Sequence, residues 1–220
     1  MNKQGKRILL TGFEPFMEEK INPSWEAVRR IDGQVIGSYE VKSRELPTVF
    51  DRAQNELRKH IQELQPDVVI CVGQAGGRAE ITVERIAINL MDARIPDNDG
   101  QAPVDAAVVE GGPAAYWTTL PIKTIVEHVK QAGIPCQVSY SAGTYVCNST
   151  FYALMHELRL IGAEQSARGG FIHIPFLPEQ AVQHPGKPSM PLEQVIEALK
   201  KTIEALDVEE TSTFSAGTLH

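Results

Sequence analysis

Cys147 is the residue of this sequence best placed to act as a nucleophile. A strand-like run, Cys136-Gln137-Val138-Ser139-Tyr140, feeds the small-residue turn Ser141-Ala142-Gly143-Thr144, and a helix-like run, Phe151–Leu158, follows. Cys147 therefore falls at or just before a helix N-terminus. Unpaired N–H groups and the helix dipole favour an anion there, so the position predicts a thiol that gives up its proton readily. A buried structural thiol fits the same position, since free cysteine is among the most buried residue types. A nucleophilic thiol also needs a base and a group to orient that base. Of the six histidines, His60, His128 and His156 lie in helix patterns beside charged residues and read as solvated surface. His184 lies in a Pro/Gly loop, and His220 is the last residue. His173 alone sits in an apolar strand-like run, Gly170-Phe171-Ile172-His173-Ile174-Pro175, where it is either a core histidine or a base at a strand's carboxyl end. Glu84 stands inside the strand-like Thr82-Val83-Glu84-Arg85-Ile86-Ala87. Neighbours on a strand face opposite sides, so either Glu84 or Arg85 turns inward.

Other chemistries find little support. Three cysteines are present; Cys71 and Cys136 lie in apolar runs and read as core. No Cys-x-x-Cys pair or His/Cys cluster has metal-ligand spacing, so no metal and no cofactor is expected. Gly73-Gln74-Ala75-Gly76-Gly77-Arg78 follows a strand like a loose phosphate loop. It lacks both the Gly-x-Gly-x-x-Gly spacing and a Gly-Lys-Ser/Thr ending, and a strand rather than a helix follows it.

The elements that must position these residues alternate between strand and helix. Strands are expected at Arg7–Phe13, Tyr39–Leu46, Val68–Val72, Ile81–Leu90, Cys136–Tyr140 and Gly170–Ile174. Helices are expected from Ser24, as cap, to Ile31, over Thr48–Gln65, Pro121–Gln131 and Cys147–Ile161, and over Pro191–Leu206. This order predicts an α/β fold with a mostly parallel sheet covered by helices on both faces, and sites at the carboxyl ends of its strands. Residues 91–116, rich in Asp, Pro and Gly, form an excursion long enough to be functional or interfacial. With 220 residues, 42% hydrophobic and 22% charged, the chain reads as one domain, 1–220, with a tail frayed from 208. A net charge of −7, a pI near 5.4 and the absence of any basic block argue against nucleic acid. No apolar run is long enough to span a membrane. The apolar residues after Met1 continue into Thr11-Gly12-Phe13 and read as a first strand rather than a leader. With the odd cysteine count, this points to a reducing cytoplasm.

Ordered blocks along nearly the whole chain resemble the type I pyroglutamyl peptidase (pyrrolidone-carboxylate peptidase) family of cysteine peptidases. They are Thr11-Gly12-Phe13-Glu14-Pro15-Phe16, Asn22-Pro23-Ser24, Leu46–Phe50, Val72–Arg78, Glu84–Asn89, Ala93–Asn98, Leu120–Lys123, Ser141–Asn148 and Gly170–Pro175. The resemblance implies a three-layer α/β/α sandwich with a mixed sheet, usually assembled as a homotetramer. It implies a Glu84–Cys147–His173 triad and Arg94 near the oxyanion. Phe13, Phe16, Asn22, Gln74, Ile95, Tyr145 and Val146 would surround a pyroglutamyl ring. The implied substrates are pyroglutamyl-blocked peptides, cleaved through a thioester. The sequence departs from the family at Met17-Glu18, where two glycines are common. Two other readings compete: a nucleoside phosphorylase-like binder on the same general architecture, and an inactive binder of blocked N-termini.

Overall fold

The run Val-Val-Ile-Cys-Val-Gly over Val68–Gly73 is buried on both faces, and such a strand can only lie inside a sheet covered on both sides. The computed structural model describes residues 5–161, 167–209 and 214–217. Its elements run β1 (Lys6–Phe13), α1 (Pro23–Arg29), β2 (Val35–Ile36), β3 (Tyr39–Leu46), α2 (Phe50–Leu64), β4 (Val68–Gln74), β5 (Ile81–Glu84) and β6 (Ile86–Ile88). They continue with β7 (Ala115–Trp117), α3 (Ile122–Gln131), β8 (Cys136–Ser139), α4 (Val146–Ile161), β9 (Arg168–Ile174), α5 (Pro178–Ala181) and α6 (Leu192–Ala205). Seven strands form one sheet in the order β2-β3-β1-β4-β9-β5-β8. The strands β3, β1, β4 and β9 are parallel; β5 runs against β9, and β8 runs parallel to β5. The sheet is thus mixed and mostly parallel, as expected.

Alternation along each strand divides the interior into two cores. Ile8 and Leu10, Val68, Ile70 and Val72, and Ile172 and Ile174 face α1, α3 and α6. Leu9 and Phe13, Val69 and Cys71, and Phe171 face α2 and α4. His173 shares Phe171's side and Glu84 lies opposite in parity to Ile81 and Val83, so both point toward the face that α4 covers.

Three local expectations are corrected. Asn22, not Ser24, caps α1: its Oδ1 accepts the Ser24 N–H at 3.1 Å, and Ser24 instead accepts the Phe13 N–H at 2.9 Å. The helix α2 starts at Phe50 rather than Thr48, because the Thr48 N–H and hydroxyl are both taken by Glu14, at 3.0 Å each. Ile81–Leu90 is not one strand. The Arg85 N–H bonds Ser139 in the large sheet at 2.8 Å while its carbonyl accepts from Thr118 at 3.0 Å. The chain thereby passes from the large sheet into a separate ribbon of β6 and β7. Of the tail expected to fray, residues 210–213 and 218–220, His220 included, lie outside the described residues. Phe214 and Ala216 rest against the first core.

Candidate active site

Strand direction reverses between β9 and β5, and the candidate chemistry gathers at that reversal. Thr82 pairs with His173 across it, which puts Glu84 within reach of the same imidazole. His173 Nδ1 lies 2.8 Å from Glu84 Oε1, with Glu84 fully buried and His173 nearly so. Burial alone would raise the Glu84 carboxyl, but the His173 hydrogen bond, followed by the His173 charge, Ser139 and Arg78, outweighs it and the net direction is down. An ionised carboxylate only accepts, so His173 carries its proton on Nδ1 and leaves Nε2 as a base. Burial lowers the His173 pKa below the ordinary 6.5, against the opposing pull of Glu84.

Cys147 occupies the first turn of α4. Asn148 fastens that turn by accepting the Ile88 N–H at 3.1 Å and donating to the carbonyls of Ile88 at 2.9 Å and Leu90 at 3.0 Å. Thr144 donates to Asp92 O at 2.7 Å, and the Tyr145 hydroxyl donates to Pro96 O at 2.9 Å. The long excursion after β6 is therefore built onto the turn that carries the thiol. Opposite it, a Cβ on Gly73 would meet the Phe171 ring at 2.8 Å and Cys147 Sγ at 3.0 Å, so only glycine leaves room for the sulphur. The expectation of a readily ionised thiol is reversed. Cys147 is half-buried by area but deep among protein atoms, and burial, then the Glu84 charge, push its pKa up to about 12. Desolvation outweighs the helix N-terminus here, and burial drives both the Cys147 thiol and the His173 imidazole, which line one cavity, toward their neutral forms.

One cavity of about 260 Å³ is lined by Cys147, His173, Phe13, Phe16, Asn22, Gln74, Tyr145 and Val146. Phe16 packs against Tyr145 with ring centroids 5.7 Å apart, and Phe13 lies 6.3 Å from Phe171, which in turn lies 4.7 Å from the His173 ring. Arg94 and Ile95 are exposed and do not line this cavity. Cys71 and Cys136 are buried free thiols, as read from their apolar runs. Histidines 60, 128 and 156 are half-buried rather than solvated: His128 Nδ1 lies 3.0 Å from Thr124 O, and His156 Nδ1 lies 2.8 Å from the Tyr116 hydroxyl.

Sequence reasoning missed Arg78. It lines the cavity, donates to Glu84 Oε1 and to Thr82 Oγ1 at 2.6 Å each, and holds Ser141 O at 3.0 Å. An arginine after two glycines at the end of an all-buried strand was the available signal. Thr48, Ala75, Ala142 and Gly143 complete the lining.

A family model described as pyroglutamyl peptidase matches residues 6–209. A pyrrolidone-carboxylate peptidase of Bacillus cytotoxicus is 51% identical over 216 residues, covering 98% of this chain and 100% of that protein. The crystal structure of pyroglutamyl peptidase I from Bacillus amyloliquefaciens superposes with a TM-score of 0.91 at 51% identity, over 96% of this chain and 100% of that one. A mutant pyrrolidone carboxyl peptidase of Pyrococcus furiosus gives a TM-score of 0.87 at 44% identity, over 91% and 97%.

Proposed function

The chain belongs to the pyroglutamyl peptidase family, and we propose that it hydrolyses the amide after an N-terminal pyroglutamyl residue with Cys147 as nucleophile, His173 as base and Glu84 as the group that orients His173. The observation that carries this reading is that Cys147 and His173 open on one apolar cavity while Glu84 holds His173 Nδ1 from behind.

The proton moves only when substrate is present. His173 Nε2 takes it from the Cys147 thiol as sulphur attacks the pyroglutamyl carbonyl carbon, and Glu84 stabilises the imidazolium that forms. The N–H groups at the start of α4 have no partner within the helix and suit the oxyanion; Arg94, which the family resemblance sets near it, stands exposed outside the cavity lining and would serve only by reaching in from the excursion. The imidazolium then protonates the leaving amine as the tetrahedral adduct collapses to a thioester. Water activated by His173 cleaves the thioester, releases pyroglutamate and restores the thiol. Phe13, Phe16, Tyr145 and Val146 suit an uncharged ring. A free amino terminus would bring an ammonium into the same apolar space at a cost of several kcal/mol, which accounts for selection of blocked peptides. Arg78, the cation of the lining, is held by Glu84 and Ser141 rather than left for a phosphate, which disfavours the phosphorylase-like reading.

The reading extends to a homotetramer working in the cytoplasm. It rests on the family resemblance and on the three free cysteines, which suit a reducing compartment. Among the described residues no helix is long and apolar enough to cross a membrane. Part of the 91–116 excursion, with Val104 72% exposed and Trp117 just beyond it 64% exposed, is assigned to the subunit interface. Sedimentation as a monomer at micromolar concentration would remove that assignment. The test of the activity is release of the chromophore from a pyroglutamyl anilide, with a prolyl anilide as control. Activity that persists in Cys147→Ala would overturn the mechanism.

A further inference from the structure

Gln180 is 3% exposed, sits in the short α5 and lies outside the lining of the cavity. Its Oε1 accepts the Leu177 backbone N–H at 3.1 Å. A backbone N–H can only donate, so this contact decides which end of the Gln180 amide is which. Nε2 must then be the donor, and its two hydrogens go to Glu19 Oε2 at 3.1 Å and Gln74 Oε1 at 3.0 Å. Glu19 is held in turn by His184 Nε2 at 2.7 Å, and the His184 ring stacks on Phe176 with centroids 4.5 Å apart.

The consequence reaches the cavity. With its oxygen drawn toward Gln180, outside the lining, Gln74 presents its amide N–H groups to a ligand. Asn22, the other amide of the lining, spends its oxygen on Ser24 and one N–H on the Glu14 carbonyl at 3.0 Å, so a single N–H is left to give. What both side-chain amides of the lining have left to offer is therefore a donor.

We propose, on the reading of the site as a pyroglutamyl pocket, that Gln180 is a specificity-determining positioning residue: it fixes the Gln74 amide so that the cavity presents a donor to the lactam carbonyl, and through Glu19 it ties that donor to the loop that carries Phe16. The carbonyl is the group that distinguishes a pyroglutamyl ring from a prolyl ring. A donor aimed at it favours the former, and is left without a partner by the latter.

The experiment compares Gln180→Glu and Gln180→Leu on pyroglutamyl-aminomethylcoumarin, reading KM, kcat and melting temperature. A glutamate at position 180 still accepts from Leu177 but offers Gln74 an acceptor, so the Gln74 amide must turn its oxygen into the cavity. KM should rise about tenfold or more, with kcat changed less than about threefold. A leucine there removes the constraint without reversing it, so KM should rise by only about threefold while melting temperature falls more, because the Leu177 N–H is left buried and unpaired. The double variant Gln180→Glu/Glu19→Gln removes the new carboxylate contact yet leaves Gln74 reversed, so its KM should stay raised. KM values that follow melting temperature across the three variants, or a wild-type KM in Gln180→Glu, would overturn the proposal. Loss of turnover by the wild-type enzyme itself would instead overturn the pyroglutamyl reading.

Discussion

The two walls of the cavity are held in opposite ways. On one side, Cys147 sits at the start of a long buried helix and His173 and Glu84 sit on paired strands, so main-chain ladders fix their positions. On the other, Phe16 stands on a loop without regular structure. Its neighbour Met17 takes φ +59° while 69% exposed, and beyond one long backbone bond to the Phe16 carbonyl at 3.4 Å Glu19 is tethered by the side chains of Gln180 and His184. The wall that does chemistry is fixed by backbone, whereas on the recognition side only Phe13, Gln74 and Val146 stand on regular elements and the Phe16 loop is held mainly by side chains. Substitutions on the first should appear in kcat, and substitutions on the second in KM.

The largest effect tests the first wall. Cys147→Ala should lose at least about 10⁴-fold in kcat, since a catalytic unit fails when its nucleophile is removed. Iodoacetamide should add one label, at Cys147, which opens on the cavity, and abolish activity, at a rate that climbs with pH because the thiol is pushed up to about 12. Cys71 and Cys136 have no exposed surface and should react only on unfolding. Residual turnover above that bound would shift the nucleophile elsewhere.

Glu84→Gln comes next, with an expected loss of about 10² to 10³ in kcat, less than in a serine triad because sulphur depends less on its base. A pH profile sharpens it. Activity falls as His173 becomes protonated, and burial places that limb of kcat/KM below pH 6.5. Glu84 opposes this lowering, so in Glu84→Gln the limb should move to still lower pH. A limb that moved up, or full turnover, would reassign Glu84 to structure.

Phe16→Ala probes the second wall. Loss of an aromatic contact and its buried area should cost about 1–3 kcal/mol in kcat/KM, carried mostly by KM. Melting temperature should move less, because a half-buried ring at an open cavity leaves no sealed void. A large fall in melting temperature with near-normal efficiency would make Phe16 a core residue and erase the contrast between the walls.

Met17→Gly should give the smallest change and the only gain. A side chain in the left-handed region costs about 1–2 kcal/mol, partly offset by the greater freedom of glycine in the unfolded chain, about 0.5–1 kcal/mol. The melting temperature should rise by about 1–3 °C with kcat unaltered. A fall would mean that the Met17 side chain stabilises the loop despite its exposure.

This same division marks how much could be read from sequence. Cys147 was legible because a strand, a small-residue turn and a helix are each local patterns. His173 was legible as a polar residue inside an apolar run. Glu84 raised the question of which neighbour turns inward, and the break of the strand at Arg85 answers it: Arg85 leaves the sheet and lies over the Tyr140 ring at 5.2 Å. The reversal of β5 against β9 left no trace in composition, because an all-buried strand looks alike in either direction. Arg78 and Gln180 were missed because their partners are set by the fold; Gln180 meets Gln74 across 106 residues. The thiol was misjudged because a helix N-terminus is visible in sequence whereas desolvation is not.

The resting protonation of Cys147 has a consequence outside catalysis. Peroxides and soft electrophiles attack thiolates, and a sulphur that keeps its proton until a substrate arrives offers them little to attack. Between turnovers the enzyme should therefore age slowly under oxidative stress. Its inactivation by hydrogen peroxide should quicken as pH rises toward the thiol's own range, so the burial that makes each attack wait for a substrate also extends the working life of the sulphur.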